Sequence, residues 1–152
     1  MIGILKTAIQ NIDRDFFAID NINKLSETGT TNCVFCDHVD PNFILPIKTN
    51  ILQRTNCFNF KDIIITDELV RAQELINITY AKSRFIYLYH LEWPQINDLK
   101  FTHIKRVLLN DSIELIARSN PHAELIEYLF KKPKYVMAEW DYTKLIEINK
   151  NE

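Results

Sequence analysis

Residues 112–141, SIELIARSNPHAELIEYLFKKPKYVMAEWD, read as a strand, a polar turn, a helix and a second strand. Ile113, Leu115, Ile116 and Ala117 make a short, almost wholly apolar run, the pattern of a parallel strand covered by helices on both faces. The run stops at Arg118-Ser119-Asn120-Pro121-His122. Ser119 or Asn120 can cap a helix there, and Pro121 is tolerated in the first turn because the amide it lacks would have had no intrahelical partner. Ile126, Leu129 and Phe130 follow at helical spacing, Lys131 and Lys132 suit the negative end of the helix dipole, and Pro133 stops the helix. A second buried run, Tyr135 to Ala138, ends in Glu139-Trp140-Asp141.

This βαβ unit bears on function because ligands of open α/β sheets bind in the crevice outside the carboxyl ends of the strands. Arg118 ends one such strand and Glu139 the next. An arginine beside a helix amino terminus suits a phosphate, and a neighbouring carboxylate can accept hydrogen bonds from a sugar hydroxyl. The alternative is that Arg118 and Glu139 pair with each other at the edge of the sheet.

Working outward, the same alternation recurs. Residues 2–8 are a candidate first strand, followed by the polar turn 11–15, where Asp13 can cap a helix carrying Phe16, Phe17, Ile19, Ile22 and Leu25. Arg14 and Asp15 fall in that turn, as site candidates or as charges that favour a helix start. Residues 32–36, NCVFC, form a stronger strand ending at Asp37-His38. A carboxylate beside an imidazole suits general-base chemistry, the alternative being a turn cap and a histidine packed on Pro41. Residues 42–60 are the least legible segment: Pro46 interrupts it, and Ile47, Ile51 and Leu52 fit either a short helix or an extended excursion. Residues 62–66 are a buried strand, and Asp67 is expected to cap the helix that follows through Leu69, Ala72, Leu75 and Tyr80. Residues 84–89, RFIYLY, lead into His90-Leu91-Glu92-Trp93-Pro94, a titratable pair with an aromatic plate. Helices from Asn97 to Leu109 and from Tyr142 to Ile148 complete the pattern.

The expected fold is α/β, a single Rossmann-like domain spanning 1–152, with a mainly parallel sheet of five or six strands and helices on both faces. A chain of 152 residues suits one domain, and one of this size buries about two-thirds of its unfolded surface. Apolar residues at 47% and charged residues at 25% exclude a disordered chain. With two glycines and neither GxGxxG nor a Walker sequence, any phosphate must be held by side chains and helix ends. A net charge of -2 argues against a general nucleic-acid-binding module. No apolar run is long enough for a membrane span and no signal-peptide order is present, so a cytoplasmic location is expected. Cys33, Cys36 and Cys57 suit a reducing compartment; Cys33 and Cys36 lie within a strand and should point to opposite faces as structural thiols. Their spacing with His38 matches no common closed zinc site, and no metal is expected.

Four strand ends carry polar sets: Asp37 with His38, His90 with Glu92, Arg118 and Ser119 with His122, and Glu139 with Asp141. Three of the four histidines would share one rim, which favours a functional reading for the group. The block IELIARSNPHAELIEYLFKKPKYVMAEWDYTKLIEI resembles the nucleotide-sugar half of GT-B glycosyltransferases. The order NCVFCDHVDPNF, DIIITDE, RFIYLYHLEWP and then this block is similar to small glycosyltransferase-like proteins of T-even-type bacteriophages, some of which transfer a sugar to hydroxymethylated cytosine in phage DNA. The resemblance implies a nucleotide-diphosphate sugar as donor substrate without a further cofactor, DNA as an acceptor, and the host cytoplasm as the location. A complete GT-B enzyme sets two such domains across a cleft, so a homodimer or a compact variant would supply the second wall. On this likeness Asp37 or His38 would deprotonate the acceptor, while Arg118, Ser119 and His122 would receive the leaving diphosphate. Glu139 would hold the ribose, with His90, Glu92, Asp141, Arg14 and Asp15 as further substrate contacts. The alternative is a non-catalytic Rossmann-like module that binds a nucleotide or a protein.

Overall fold

The structure is a computed structural model that describes residues 1–90 and 98–152, with no side-chain detail for 98–100. Seven strands form one sheet in which every pairing is parallel: β1 (Ile2–Leu5), β3 (Asn32–Cys36), β5 (Asn50–Gln53), β6 (Ile63–Thr66), β7 (Ser83–Leu88), β8 (Glu114–Ala117) and β9 (Tyr135–Val136). Their order across the sheet is β5-β3-β1-β6-β7-β8-β9. The chain therefore builds outward from β1 in one direction, returns to β1 with β6, and builds outward in the other. The gap between the ends of β1 and β6 is the topological switch point of a Rossmann-like sheet.

The unbroken apolar runs follow from helices covering both faces. Ile4, Val34, Cys36, Ile65, Phe85, Tyr87 and Ile116 pack under α1 (Asp13–Glu27) and α5 (Tyr142–Asn151), against Ile19, Ile22, Leu145 and Ile148. Leu5, Cys33, Phe35, Ile64, Ile86, Leu115 and Ala117 point the other way. They pack under α2 (Leu69–Asn77), α3 (Asp98–Leu108) and α4 (Asn120–Leu129), against Leu75, Val107, Leu108 and Ile126. Alternate residues of each strand thus feed two separate cores, as the two-residue period of a strand requires. Cys33 and Cys36 fall in opposite cores, as expected of thiols three residues apart in a strand.

The sheet has one strand more than the upper expectation. The addition is β5, from the segment that gave no readable period because all four of its residues, at the sheet edge, are exposed. The candidate first strand also breaks after Leu5. Lys6 and Thr7 turn the chain, and β2 (Ala8–Ile9) pairs with β4 (His38–Val39) in a separate two-stranded ladder. Two expected caps are corrected. Asp13 is the first helical residue of α1, whose N-cap is Ile12 with no side-chain bond. Asp67 does not cap α2 either, because its carboxylate is taken by Lys6. Ser119 does cap α4, accepting from the His122 amide, and Asp141 caps α5, accepting from Thr143 N–H at 2.8 Å.

Candidate functional site

The carboxyl edge of the sheet gathers charged side chains from six strand ends, those of β1, β3, β5, β6, β8 and β9. At the switch point, Lys6 follows β1, Asp67 follows β6, and Asp15 projects from the first turn of α1. Lys6 Nζ donates to Asp15 Oδ1 at 2.6 Å and to Asp67 Oδ1 and Oδ2 at 2.9 and 2.8 Å. An ammonium has three hydrogens, and all three are used. The three side chains are essentially inaccessible to solvent. Asp15 Oδ2 accepts from the Gln10 amide at 2.8 Å, and Arg14 Nε lies 3.6 Å from Asp67 and 3.8 Å from Asp15. Two cations and two carboxylates balance, which is what makes such burial tolerable. The place where a dinucleotide-binding sheet leaves room for phosphate is here filled by the protein's own charges. Asp13 and Asp15 in the first turn of α1 also make that helix start a poor anion site.

Room opens further along the edge, toward β7 and β8. Ile12, Asp13, Arg14, Tyr89, His90 and Arg118 enclose a cleft of about 440 Å³. The Arg118 guanidinium lies 4.4 Å over the centre of the Tyr89 ring, a cation–π contact, and its Nε donates to Glu139 Oε1 at 3.0 Å. Arg118 Nη2 and the Tyr89 hydroxyl donate to the two oxygens of the same carboxylate. Burial alone would raise the Glu139 pKa, but the bonds from Tyr89 and Arg118 outweigh it and hold the group below the usual carboxylate range. Burial, with Glu139 as acceptor, pushes the Tyr89 phenol well above its ordinary value, so it remains a donor. Glu139 and Trp140 have φ of 45° and 60°, left-handed values that cost a non-glycine residue about 1–3 kcal/mol. The turn is held by the Asn21 side chain, which donates to Glu139 O at 2.9 Å. It is also held by the fully buried Trp140 indole, packed edge-on to Tyr87 at 5.1 Å.

Two histidines complete the rim. Partial burial, then the nearby Arg14 and Arg118 charges, lower the His90 pKa although the residue is exposed. Partial burial, then Arg118 and His90, lower that of His122. Both imidazoles are therefore neutral at pH 7 and can accept a proton. The amino terminus of α4, beside Arg118 and without acidic residues in its first turn, favours an anion in a way that α1 does not.

A second cavity of about 320 Å³ adjoins this cleft and shares Arg14 with it. Thr7, Ala8, Gln10, His38, Glu68, Leu69 and Val70 make the rest of its wall. Asp37 and His38 therefore part company, since adjacent residues of an extended chain face opposite ways. Asp37 pairs with Arg54 Nε at 2.8 and 3.0 Å, while His38 faces the cavity. Arg54 continues to Glu74 at 2.7 Å, and Glu74 to Arg71, whose Nε donates to Thr7 Oγ1 at 2.9 Å.

Of the sequence candidates, Arg14, His90 and Arg118 share the first cleft, and Ser119, His122 and Glu139 adjoin it through Arg118 and the α4 cap. Asp15 lies in the buried cluster and Asp141 serves as a helix cap. Glu92 lies outside the described residues. Sequence reasoning missed Lys6, Glu68 and Tyr89, and read Asp13 and Asp67 as caps alone. A lysine following an apolar strand and two acids following another, both at a switch point, were the available signal. The cysteines take no part: burial pushes Cys33 up to about 12 and Cys57 up to about 11, leaving inert thiols. Among the described residues no three His, Cys, Asp or Glu gather as metal ligands, and no helix is long and apolar enough to cross a membrane. Compared with protein-family models, curated proteins and solved structures, the chain finds no match.

Proposed function

We propose that this chain is a nucleotide-sugar-dependent glycosyltransferase domain whose donor diphosphate lies in the cleft between Arg14, His90, Arg118 and the start of α4. The observation that carries the reading is the convergence of Arg118, His90 and Tyr89, from the ends of β7 and β8, with Arg14 and Asp13 of α1 on one 440 Å³ space, where Arg118 is the cation not held in the switch-point cluster. That volume is within the range of small-molecule sites. Arg118 is aimed by Glu139 and Tyr89 before any ligand arrives, so it can balance charge growing on a leaving phosphate without reorganising. Ile12, exposed at the wall, offers apolar surface to a base or sugar ring, while the buried Tyr89 ring backs Arg118. Glu139 acts by orienting Arg118 in this reading, not by holding a ribose, since both its oxygens are engaged.

A non-catalytic nucleotide-binding module is the second reading. It is favoured by the pairing of Asp37 with Arg54, which takes the carboxylate away from the imidazole beside it. UDP-glucose, UDP-N-acetylglucosamine and GDP-mannose, each tested for thermal stabilisation and for release of nucleoside diphosphate, separate the two. Stabilisation with release supports the transferase, and stabilisation alone supports the module. Arg118→Ala should weaken donor binding about 10- to 100-fold, the usual effect of losing a charge-assisted contact. Donor binding unchanged in that variant contradicts both readings.

A further inference from the structure

The 320 Å³ cavity lies outside the cleft assigned above to the donor and shares Arg14 with it. One of its wall residues is built in an unusual way. Glu68 is 7% exposed, and it has been turned back from the start of α2 so that Oε2 accepts the Thr7 amide at 2.9 Å and the Thr7 hydroxyl. Thr7 is itself fixed by Arg71 Nε at 2.9 Å, and the Glu68 amide is fixed on Thr66 Oγ1 at 3.2 Å. Among the described residues Oε1 accepts no hydrogen bond, although Glu68 lines the cavity. A buried carboxylate with one oxygen locked and the other open is a preorganised acceptor for a ligand's hydroxyl. Gln10 and His38 add polar groups to the wall, and Leu69 and Val70 give it an apolar side, the mixed surface that a sugar ring presents in return. Arg14, the one cation on this wall, already leans toward Asp15 and Asp67, so the cavity has no basic track for a polyanion.

We infer that this cavity is a second substrate subsite for an uncharged saccharide, whose hydroxyl donates to Glu68 Oε1. Its role as the acceptor site rests on the donor reading of the adjoining cleft, with Arg14 as the shared wall. In transfer, the acceptor O–H bond breaks and its proton passes to Glu68 Oε1. The oxygen's electron pair forms the new bond to the anomeric carbon of the donor sugar. The bond from that carbon to the diphosphate breaks, its electrons leave on the phosphate oxygen, and Glu68 returns the proton to water.

Amide NMR of the whole chain tests the site directly, with methyl β-D-glucopyranoside as one probe and inorganic pyrophosphate, in a separate sample, as the other. The glycoside is expected to shift the amides of Thr7, Gln10 and Val70. It should bind about tenfold more weakly to Glu68→Gln, which keeps the bond to Thr7 but loses the charge. Val70→Trp, a change at a position 69% exposed at the cavity wall, should abolish the shifts while the dispersed spectrum reports an intact fold. Thr7, Gln10 and Val70 amides that do not respond to the glycoside, that respond equally in Glu68→Gln and Val70→Trp, or that respond to duplex DNA instead, overturn the inference. Pyrophosphate should shift Tyr89 and Arg118. Its failure to do so contradicts the donor cleft alone and leaves the saccharide site standing.

Discussion

Lys6 holds the midline of the sheet by satisfying two buried carboxylates that Arg14 alone does not balance. Replacing it with methionine keeps the length of the side chain and removes the charge, leaving two buried carboxylates, Asp15 and Asp67, against the single charge of Arg14. Breaking such a pair from one side costs about 3–5 kcal/mol, so urea unfolding of Lys6→Met should show most of the chain's stability gone. Gly3 is a second dependent position. A Cβ there would sit 2.7 Å from the Phe35 ring and 3.0 Å from Phe60, rings that pack edge to face at 5.2 Å. Gly3→Ala should cost about 1–3 kcal/mol by overpacking, read as a lower urea midpoint with unchanged slope. The histidines set a pH dependence. His90 and His122 have folded pKa values depressed below 6.5, so the unfolded chain binds more protons in that window and stability falls as pH drops from 6.5 toward their native values. Glu139 has a depressed pKa as well; its contribution is present above 4.5 and is lost as pH falls through its native value. Unfolding midpoints measured from pH 8 down to pH 4 should therefore decline monotonically, and a maximum at pH 5 would contradict these assignments.

At the scale of elements, the starts of α4 and α5 look alike in sequence and differ in use. Asp141 is bonded to the amide and hydroxyl of Thr143. Asp141→Ala should therefore cost about 1 kcal/mol, the worth of a cap, and leave nucleotide-sugar binding unchanged. A loss of donor binding in that variant would return Asp141 to the site. Elements with a strong period were legible from the sequence. The apolar runs of β6, β7 and β8 and the stripes of α1 and α4 could be read because two cores and one covered face impose those periods. What was not legible follows from tertiary pairing. β5 carries no alternation because all its residues are exposed, and its pairing with β3 alone makes it a strand. Asp67 has the position of a cap, and only the approach of Lys6 from β1, 61 residues earlier, claims its carboxylate.

At the scale of the molecule, the order of the strands explains where a ligand can go. A parallel sheet whose order of strand addition reverses between β1 and β6 offers its crevice there, and this chain closes that crevice with a neutral cluster of four charges. The open space is displaced to the ends of β7 and β8, where Arg118, His90 and the start of α4 meet Arg14 from α1. Arg118 and Glu139 were expected either to hold ligand or to hold each other. The pairing is what the fold displays, and it gives Arg118 a fixed direction across Tyr89 into the cleft. The most direct measurement is a crystal structure with the nucleoside diphosphate that stabilises the chain most. The diphosphate should lie within hydrogen-bond reach of Arg118 and the first amides of α4. Density for it beside Lys6 at the switch point, or at the amino ends of the strands, would contradict the account.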